Sequence, residues 1–442
     1  MTLKPLHIII AGVFLLSGCS GPQYISTQIP TTITSTTPIS LLRSPTMEAW
    51  TPTSTFTPNP TATPVSAIAT LTPTAATTAD PVSGIRTQCL ENISPLPEDV
   101  TLQGYLVLGD NFFNPETHAQ RPLIPNVQSM SGHEISPDQN HILLEYCVNN
   151  ECTNAIASLN GVVATFHIPE NMMFEAWLDN ERLIIFTRNQ VPSNTIPVLN
   201  PFSGEEEDLS LDLPNPYYAV NPDNFYIFPI DIDPTLTRVI YSDSQGIGRI
   251  IMWDIPNSKI LAWLPYSIPH PPGLPPDYFL SNGWSPDGSQ YITTSPVVYS
   301  DTEKTTPAAE EIFTISRDGL VRQLTHVSEA YNFVIIRGLT WSPDGRYVAF
   351  WLHADNIYYP PTDRSWRLAV LDTNTQEIFD YCFSSHGIAG GPFWSPDSQS
   401  LVIEIFTEDL REPLILIDPI NLFAYTISED LFPVLYGWMT SP

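Results

Sequence analysis

Three near-identical copies of a Trp-Ser-Pro-Asp segment are the feature of this 442-residue sequence that most restricts its fold. The copies are Trp284–Asp287, Trp341–Asp344 and Trp394–Asp397, and each leads into an alternating or apolar run. Weaker copies lie upstream, at Ile135–Asp138, Trp177–Asn180 and Ile232–Thr235. The six copies begin 42 to 57 residues apart, a period that fits four antiparallel strands per repeat. The sequence therefore predicts an all-β protein made of stacked four-stranded units.

The Trp-Ser-Pro-Asp-Gly segments resemble the repeats of TolB-type β-propellers and of the propeller domains in prolyl-oligopeptidase-like proteins. The resemblance covers roughly residues 130–442, and the copies at Trp177 and Ile232 depart from the family pattern. It implies a β-propeller in which each unit forms one four-stranded blade.

The two ends of the sequence bear on the number of blades. Leu435–Met439 has the pattern of an innermost strand, after which the sequence stops. Gly104–Gly109, Phe112–Thr117 and Gln120–Ile124 supply later strands of a unit that lacks a first one. Joined, they make one split closing blade. Six complete units and this split unit predict seven blades, and six blades with an N-terminal extension is the alternative.

Residues 1–19 have the features of an export signal. Lys4 supplies a positive charge, and Ile8–Leu16 is an apolar run too short to cross a bilayer. Leu16–Cys19 resembles the lipobox of bacterial lipoproteins, in which the cysteine thiol receives a diacylglyceryl group and the peptide is cut before it. The resemblance implies lipid attachment at Cys19 and an extracytoplasmic chain anchored to a membrane of the bacterial cell envelope. The alternative is a plain secretory signal with a chance cysteine.

Residues 20–88 contain 19 threonines, 10 prolines and four charged residues. Proline removes backbone donors and threonine offers little surface to bury, so we predict a disordered stalk. This division leaves residues 89–442 as the β-propeller domain.

The chain has 17 basic and 47 acidic residues, for a net charge of −30. Phosphate backbones need clustered cations, so nucleic-acid binding is excluded. The acidic run Glu205–Asp208 would suit a cation or a cationic partner, but a solvated, repulsive surface explains it as well. No calcium-loop spacing occurs, and we predict neither a metal site nor a cofactor.

Repetition points to structural roles for the residues of the repeats. An aromatic platform for sugar would use one or two tryptophans in a cleft, whereas a tryptophan shared by five units fills the gap between blades. The repeated aspartates lie in turns, where a carboxylate accepts hydrogen bonds from the backbone amides ahead of it. The residues assigned in this way are Trp177, Trp284, Trp341, Trp394, Trp438, Asp287, Asp344 and Asp397.

We find no catalytic signature and predict no catalytic residue. A Gly-x-Ser-x-Gly elbow is absent, and His133-Glu134 is followed by no second histidine at zinc-protease spacing. A glycosidase needs only two suitably placed carboxylates, so the many acidic residues leave that chemistry open.

Four cysteines remain once Cys19 carries a lipid, and in an oxidising compartment they predict two disulfides. Cys147 and Cys152 are separated by the length of a tight hairpin, which brings two Cα atoms within bonding range. Cys89 and Cys382 would form the second pair. The predicted scheme puts one blade between the two members of this second pair.

In a blade with antiparallel strands a to d, the a–b and c–d turns share one end, and the b–c and d–a connections share the other. The long connections all belong to the second set, at residues 266–280, 296–311, 326–337, 353–366 and 384–391. Binding residues gather on variable loops carried by a rigid scaffold. We therefore predict a ligand face at this end, with Tyr278, Tyr358, Tyr359 and Trp366 as contacts.

Together these features predict a monomeric, lipid-anchored propeller that binds another protein or an envelope glycan without chemistry. The alternative is a carbohydrate-active enzyme that uses acidic residues in the central channel.

Overall fold

The computed structural model describes most of the chain from residue 84 onward. The described residues are 78–79, 84–90, 93–97, 102, 104–127, 129–149, 151–168, 172–187, 195–210, 229–243, 249–265, 283–299, 307–355, 366–386, 391–407, 413–419, 421–428 and 435–440. The chain divides into a unit of Met1–Thr70, which lies wholly outside this part, and a unit of Leu71–Pro442, to which the following applies. The export signal and most of the predicted stalk therefore lie outside the described residues.

The described residues form an all-β structure. Their one helical element is a 3-10 turn at Val327–Glu329. None of their helices is long and apolar enough to cross a membrane. The first six strands are β1 (Thr78–Ala79), β2 (Ile85–Thr87), β3 (Ile93–Pro95), β4 (Tyr105–Leu108), β5 (Asn111–Phe113) and β6 (Gln120–Pro122).

Three four-stranded antiparallel sheets follow, which we call blades 1 to 3. Blade 1 contains β7 (Ser129–Ile135), β8 (Ile142–Val148), β9 (Glu151–Ser158) and β10 (Gly161–Phe166). Blade 2 contains β11 (Met172–Trp177), β12 (Leu183–Thr187), β13 (Thr195–Leu199) and β14 (Glu206–Ser210). Blade 3 contains β15 (Pro229–Ile232), β16 (Arg238–Asp243), β17 (Arg249–Asp254) and β18 (Lys259–Pro265).

Blade 4 contains β19 (Gln290–Tyr299), β20 (Pro307–Ser316) and β21 (Val321–Gln323), with a bridge between Trp284 and Tyr291 in place of a first strand. Blade 5 contains β22 (Phe333–Trp341), β23 (Tyr347–Asp355), β24 (Trp366–Asp372) and β25 (Ile378–Ser385). Blade 6 contains β26 (Phe393–Trp394), β27 (Leu401–Glu404), β28 (Leu414–Asp418) and β29 (Phe423–Ser428). The last strand, β30 (Leu435–Met439), pairs with β4 and forms blade 7 with β4, β5 and β6.

This arrangement of consecutive antiparallel blades is a β-propeller, as the repeats predict. The blades pack on each other because their strands are rich in apolar residues. β23, for example, buries six consecutive residues from Val348 to His353, because each face of a central strand packs on a neighbouring blade. The pairing of β30 with β4 also joins the two segments that the sequence assigns to one split unit.

A buried hydrophobic cluster fills each interface between successive blades. Leu143 of blade 1 packs with Trp177 of blade 2, and Trp351 of blade 5 packs with Trp394 of blade 6. The cluster between blades 7 and 1 joins Met439 to Ile142, so the last blade also packs on the first. The side chains of this core therefore lie between blades, which accounts for its repetition along the chain.

The N-terminal segment runs along the outside of the propeller. β2 adds parallel to β25, the outer strand of blade 5, and β3 adds parallel to β29, the outer strand of blade 6. The predicted stalk extends to residue 88, but Ile85 is buried in the cluster between blades 4 and 5. The folded part therefore begins before the predicted boundary at residue 89. The reason is that β2 pairs with the outer strand of blade 5, and this pairing buries Ile85.

Both predicted disulfides are present in the structure. Cys147 and Cys152 face each other across β8 and β9. Cys89 follows β2 and bonds Cys382 in β25, 293 residues away in the sequence. The predicted separation of this pair by one blade is wrong, because β2 lies directly beside the strand that carries Cys382.

Several connections are shorter than the sequence suggests. β19 continues to Tyr299 and β20 begins at Pro307, while β22 begins at Phe333. The pairing of β19 with β20 continues to Tyr299 through shifts of register near Pro296 and Val298. These strands therefore include residues that the sequence analysis assigns to the connections 296–311 and 326–337.

Candidate functional site

The turns between strands a and b use one hydrogen-bond pattern in four blades. In each, a serine hydroxyl donates to the aspartate two residues later, at 2.5 to 2.6 Å, and that carboxylate also accepts a backbone N–H two residues further on. The serine oxygen in turn accepts the N–H five residues ahead. The four pairs are Ser136–Asp138, Ser285–Asp287, Ser342–Asp344 and Ser395–Asp397.

This geometry explains the predicted aspartates. Asp287, Asp344 and Asp397 are exposed, yet each carboxylate is used within its own turn. Hydrogen bonds from the Ser285 hydroxyl and the Ser289 backbone lower the pKa of Asp287. A carboxylate held ionised in this way is suited to fixing a turn.

The predicted tryptophans lie at the blade interfaces, and all five are buried. Three indole N–H groups donate to a backbone carbonyl of the preceding blade: Trp177 to Glu134, Trp341 to Gly283 and Trp394 to Thr340, at 3.1 to 3.2 Å. Trp284 lies against Tyr291 with ring centroids 5.5 Å apart, and Trp438 packs among residues of blades 6 and 7. Their contacts join blades and do not line an exposed cleft.

Each blade has two ends. We call the end with the repeated a–b turns the turn end, and the end with the b–c and d–a connections the loop end. At the loop end, β20 carries two consecutive buried acids, Glu310 and Glu311. Glu310 accepts a hydrogen bond at 2.7 Å from Nη1 of Arg337 on the first strand of blade 5. Burial of a carboxylate is costly unless it is paired, and this ion pair crosses the interface between two blades.

Glu311 is held by hydrogen bonds from the following connection. The hydroxyl of Thr325 donates to Oε2 at 2.5 Å, and the backbone N–H of Ser328 donates to Oε1 at 2.6 Å. Thr325 also accepts the backbone N–H of Ile312 at 2.8 Å. Glu311 thus fixes the path of the d–a connection that enters blade 5. We call Glu310, Glu311, Thr325, Ser328 and Arg337 the loop-end cluster.

Aromatic residues of blade 5 form a second group at the loop end. His353, near the end of β23, is buried between Phe333 and Trp366, with ring centroids at 5.7 and 5.9 Å. The sequence predicts Trp366 as a ligand contact, but its side chain is only 8% exposed. It begins β24 and packs in the interface with blade 6, so the structure assigns it a packing role. Tyr278, Tyr358 and Tyr359 lie outside the described residues.

The innermost strands carry two acids at the same position of the repeat. Glu134 in blade 1 accepts the backbone N–H of Trp177, and Asp231 in blade 3 accepts the backbone N–H of Gly283, at 3.3 and 3.1 Å. Burial raises the pKa of Asp231 to about 7. Each carboxylate thus accepts a hydrogen bond from the next blade. In addition, a carboxyl group with a pKa of about 7 can exchange protons near neutral pH.

No group of three or more histidine, cysteine, aspartate or glutamate side chains within the described ranges could hold a metal ion.

The sequence does not predict the loop-end cluster. Glu310-Glu311 stands at the start of the apolar run Ile312–Ile315, and two acids at the edge of a buried strand were the available signal. Their partners Thr325, Ser328 and Arg337 belong to a different connection and strand, and only the packing of blade 5 on blade 4 brings them together.

The fold and this site define a β-propeller with a candidate binding face at its loop end. Solved structures similar to the chain include TolB from Acinetobacter baumannii, at 14% identity and a TM-score of 0.36, covering 77% of this chain and 81% of that one. They also include an oligogalacturonate lyase from Vibrio parahaemolyticus, at 10% identity and a TM-score of 0.43, covering 74% and 87%. An oligogalacturonate lyase in complex with manganese matches at 12% identity and a TM-score of 0.45, covering 74% and 86%.

No protein-family model and no curated protein sequence matches the chain.

Proposed function

We propose that the protein is an extracytoplasmic, lipid-anchored propeller that binds another protein or an envelope glycan through its loop end, without catalysing a reaction. The observation that carries this proposal is the contrast between the two ends. The turn end uses its repeated serines and aspartates within its own turns, whereas the loop end combines a buried polar cluster with long, dissimilar connections. A rigid floor under variable loops is the usual arrangement of a binding surface.

The loop-end cluster gives the proposed face its rigidity and some of its chemistry. Glu310 and Glu311 fix the first strand of blade 5 and the connection before it. The Arg337 side chain remains 28% exposed, so a guanidinium stays within reach of a ligand. Arginine is enriched at protein interfaces, so this guanidinium suits a polar protein surface.

Replacement of residues 356–365 by a Gly-Ser segment of equal length tests the binding face. This range leaves His353 and Trp366 in place, so the core of blade 5 is kept. The matched control replaces residues 373–376, the c–d turn of the same blade at the turn end. In a quantitative pull-down from native membranes, the first variant should lose the partners that the control retains. Equal recovery by both variants would contradict the proposed face.

The anchor is proposed from the sequence, with Cys19 as acyl acceptor. Two or three acyl chains hold a protein on a membrane where one alone is marginal. Mass spectrometry of the mature N-terminus should find a lipidated Cys19, and Cys19→Ala should leave an unlipidated chain. An unmodified residue other than Cys19 at that terminus would refute the anchor and leave the propeller unaffected.

We further propose that the seven blades close into one seven-bladed ring and that the protein is a monomer. Seven interface clusters link the blades in order, including one between blade 7 and blade 1. Electron-microscopy class averages should show seven spokes, and sedimentation equilibrium should give the monomer mass. Six spokes would refute the blade count, and a dimer mass would refute the monomer.

A second candidate function, a carbohydrate-active enzyme, is favoured by one observation, the raised pKa of Asp231 on an innermost strand. As a general acid it would act with a second carboxylate on an innermost strand, such as Glu134. The test is release of reducing sugar from isolated envelope polysaccharides by the full-length chain. Release by the wild type that is lost in Asp231→Asn would show that the protein is an enzyme. No release by the wild type would contradict the enzyme function.

A further inference from the structure

The N-terminal segment follows the rim of the propeller from blade 5 to blade 6. β2 pairs with the outer strand of blade 5, Leu90 packs against the cluster between the two blades, and β3 pairs with the outer strand of blade 6. We call residues 84–90 the clasp segment. The residues described before it, Thr78 and Ala79, pair with β2 itself. The clasp segment is therefore the first place along the described chain where the N-terminal segment is attached to a blade.

Apart from a disulfide, the contact of the clasp segment with blade 5 is small. β2 has three residues, of which only Ile85 is buried. Arg86 forms an ion pair with Glu377, but the two side chains are 42% and 33% exposed, and exposed pairs contribute little to stability. The backbone N–H of Gln88 donates to the carbonyl of Asp380 at 2.8 Å. A segment with so small a contact should open readily once its covalent link is removed.

The covalent link is the disulfide between Cys89 and Cys382, and blade 5 holds Cys382 in an unusual backbone conformation. Its φ is +62°, in the left-handed region that residues other than glycine rarely adopt. Its N–H donates at 2.9 Å to Oδ1 of Asp380, and Oδ2 of this buried carboxylate pairs with Arg367 at 2.8 Å. The register of β25 with β24 shifts at this position. Asp380 and Arg367 both belong to blade 5, so the blade can keep Cys382 in this position without the clasp segment.

The two disulfides differ in their exposure and in what they join. Cys89 and Cys382 are both exposed, whereas Cys147 is half-buried. Cys147 and Cys152 lie five residues apart on β8 and β9, which pair with each other along the whole of β8. Cys89 and Cys382 are 293 residues apart, and their bond joins the short clasp segment to a complete blade. Exposed disulfides exchange readily with thiols, and of the two bonds this one would release a segment when it is broken.

We propose that the Cys89–Cys382 disulfide is a redox-controlled clasp, opened by a dithiol protein of the thiol–disulfide oxidoreductase class. One thiolate of that protein attacks a clasp sulfur, which forms a mixed disulfide and releases the other clasp sulfur as a thiolate. The second thiolate of the partner then attacks the mixed disulfide and releases the first clasp sulfur. Two electrons and two protons pass from the dithiol to Cys89 and Cys382, and the partner becomes a disulfide.

The opened clasp segment leaves blade 5. Its departure uncovers the outer edge of β25 and the place of Ile85 in the cluster between blades 4 and 5. The N-terminal segment is then attached first at β3, on blade 6. This device lies at the rim, so the inference does not depend on the function proposed for the loop end.

Selective reduction tests the clasp in the folded, full-length chain. The probe is a thioredoxin kept reduced by its reductase and NADPH, and free thiols are alkylated at intervals and located by mass spectrometry. Cys89 and Cys382 should be labelled at least about tenfold faster than Cys147 and Cys152, because both members of the clasp are exposed. Equal or slower labelling of Cys89 and Cys382, or no labelling of them, would overturn the proposal.

Hydrogen exchange measures whether the clasp segment moves. In the wild type, the amides of residues 85–90 should exchange at least about tenfold faster after treatment with thioredoxin, while the circular dichroism of the propeller stays unchanged. Reoxidation with oxidised glutathione should restore the slow exchange. Unchanged exchange on reduction, unfolding of the whole propeller, or exchange that stays fast after the disulfide has formed again would overturn the proposal.

Variants separate the two disulfides. The double variant Cys89→Ser with Cys382→Ser should show the fast exchange of residues 85–90 without any reductant. The double variant Cys147→Ser with Cys152→Ser is the matched control and should keep the slow exchange, because β8 and β9 remain paired. Equal exchange in the two double variants would overturn the assignment of the clasp to Cys89 and Cys382.

Discussion

The two ends of the propeller use the same residue types in different ways. At the turn end, the same serine–aspartate pair and the same backbone contacts occur in four blades. At the loop end, in the part of the chain that the structure describes, two acids, a threonine and an arginine form one cluster between blades 4 and 5. Repeated polar groups specify a fold, because every unit needs the same turn, whereas a polar cluster formed once marks a place where one unit differs from the others. Variants at the turn end should therefore change stability alone, and variants at the loop end should change binding as well.

Removal of an interface tryptophan should have the largest effect on stability. Trp341→Ala deletes a buried ring and its hydrogen bond to Gly283, and we expect a loss of about 3–5 kcal/mol in the free energy of unfolding. Urea denaturation followed by circular dichroism measures this loss. Trp263→Ala, at an exposed position, is the control and should change the free energy little. A loss below 1 kcal/mol for Trp341→Ala would mean that the indole is not part of the interface.

The stability of the protein should depend on pH through Asp231, on the innermost strand of blade 3. Its folded pKa of about 7 lies above the ordinary value of 3.8, so the folded state keeps a proton that the unfolded chain releases. The resulting stability is fully present below pH 4 and is lost as the pH rises to about 7, by at most about 4 kcal/mol. Asp231→Asn should therefore gain stability relative to the wild type across this window.

Thermal melts of wild type and Asp231→Asn between pH 4 and 8 check this prediction. The difference in melting temperature should grow up to about pH 7 and stay constant above it, where both states are ionised. A difference that does not vary with pH would show that Asp231 has an ordinary pKa.

At the loop end, loss of the Glu311 carboxylate should affect both stability and binding. Glu311→Ala leaves the Thr325 hydroxyl and the Ser328 N–H without their acceptor, at a cost of about 2 kcal/mol. The connection before blade 5 then loses its fixed path, so partner recovery in the pull-down should fall. Glu311→Gln keeps one acceptor oxygen, so its stability and its partner recovery should lie between those of the wild type and of Glu311→Ala. Full recovery with Glu311→Ala would separate the loop-end cluster from binding.

The smallest effect is expected for a single repeated aspartate. Asp344→Ala removes the acceptor for Ser342 and for the Arg346 backbone, and should cost about 1 kcal/mol, as loss of a helix N-cap does. Asp344→Asn keeps an acceptor oxygen and should cost less. Chemical denaturation gives both values, and pull-down recovery should stay unchanged. Loss of binding in either variant would break the distinction between the two ends.

The sequence predicts the propeller because its information is periodic. Trp341, Trp394 and the Ser-Pro-Asp turns repeat at blade length, and the apolar runs that follow are the strands that the structure contains. The sequence also predicts the pairing of β30 with β4, since Leu435–Met439 has the pattern of a first strand and Gly104–Gly109 that of a later one.

Features that occur once could not be predicted in this way. Trp366 has the composition of a loop aromatic, and only its packing against His353 shows that it is interior. Ile85 lies in a Thr/Pro-rich segment, and the average composition of that segment does not indicate that this one residue is buried in the core. Glu311 and Ser328 are brought together by the path of one connection, and no pattern of spacing in the sequence links the two residues.

Site-specific photo-crosslinking in intact cells tests the central claim most directly. A benzoylphenylalanine replaces Glu329, exposed on the connection at the loop end, or Asn374, exposed in the turn of blade 5 at the turn end. After irradiation, discrete adducts should form from position 329 and not from position 374. Adducts from position 374 alone would contradict the claim that the loop end is the binding face.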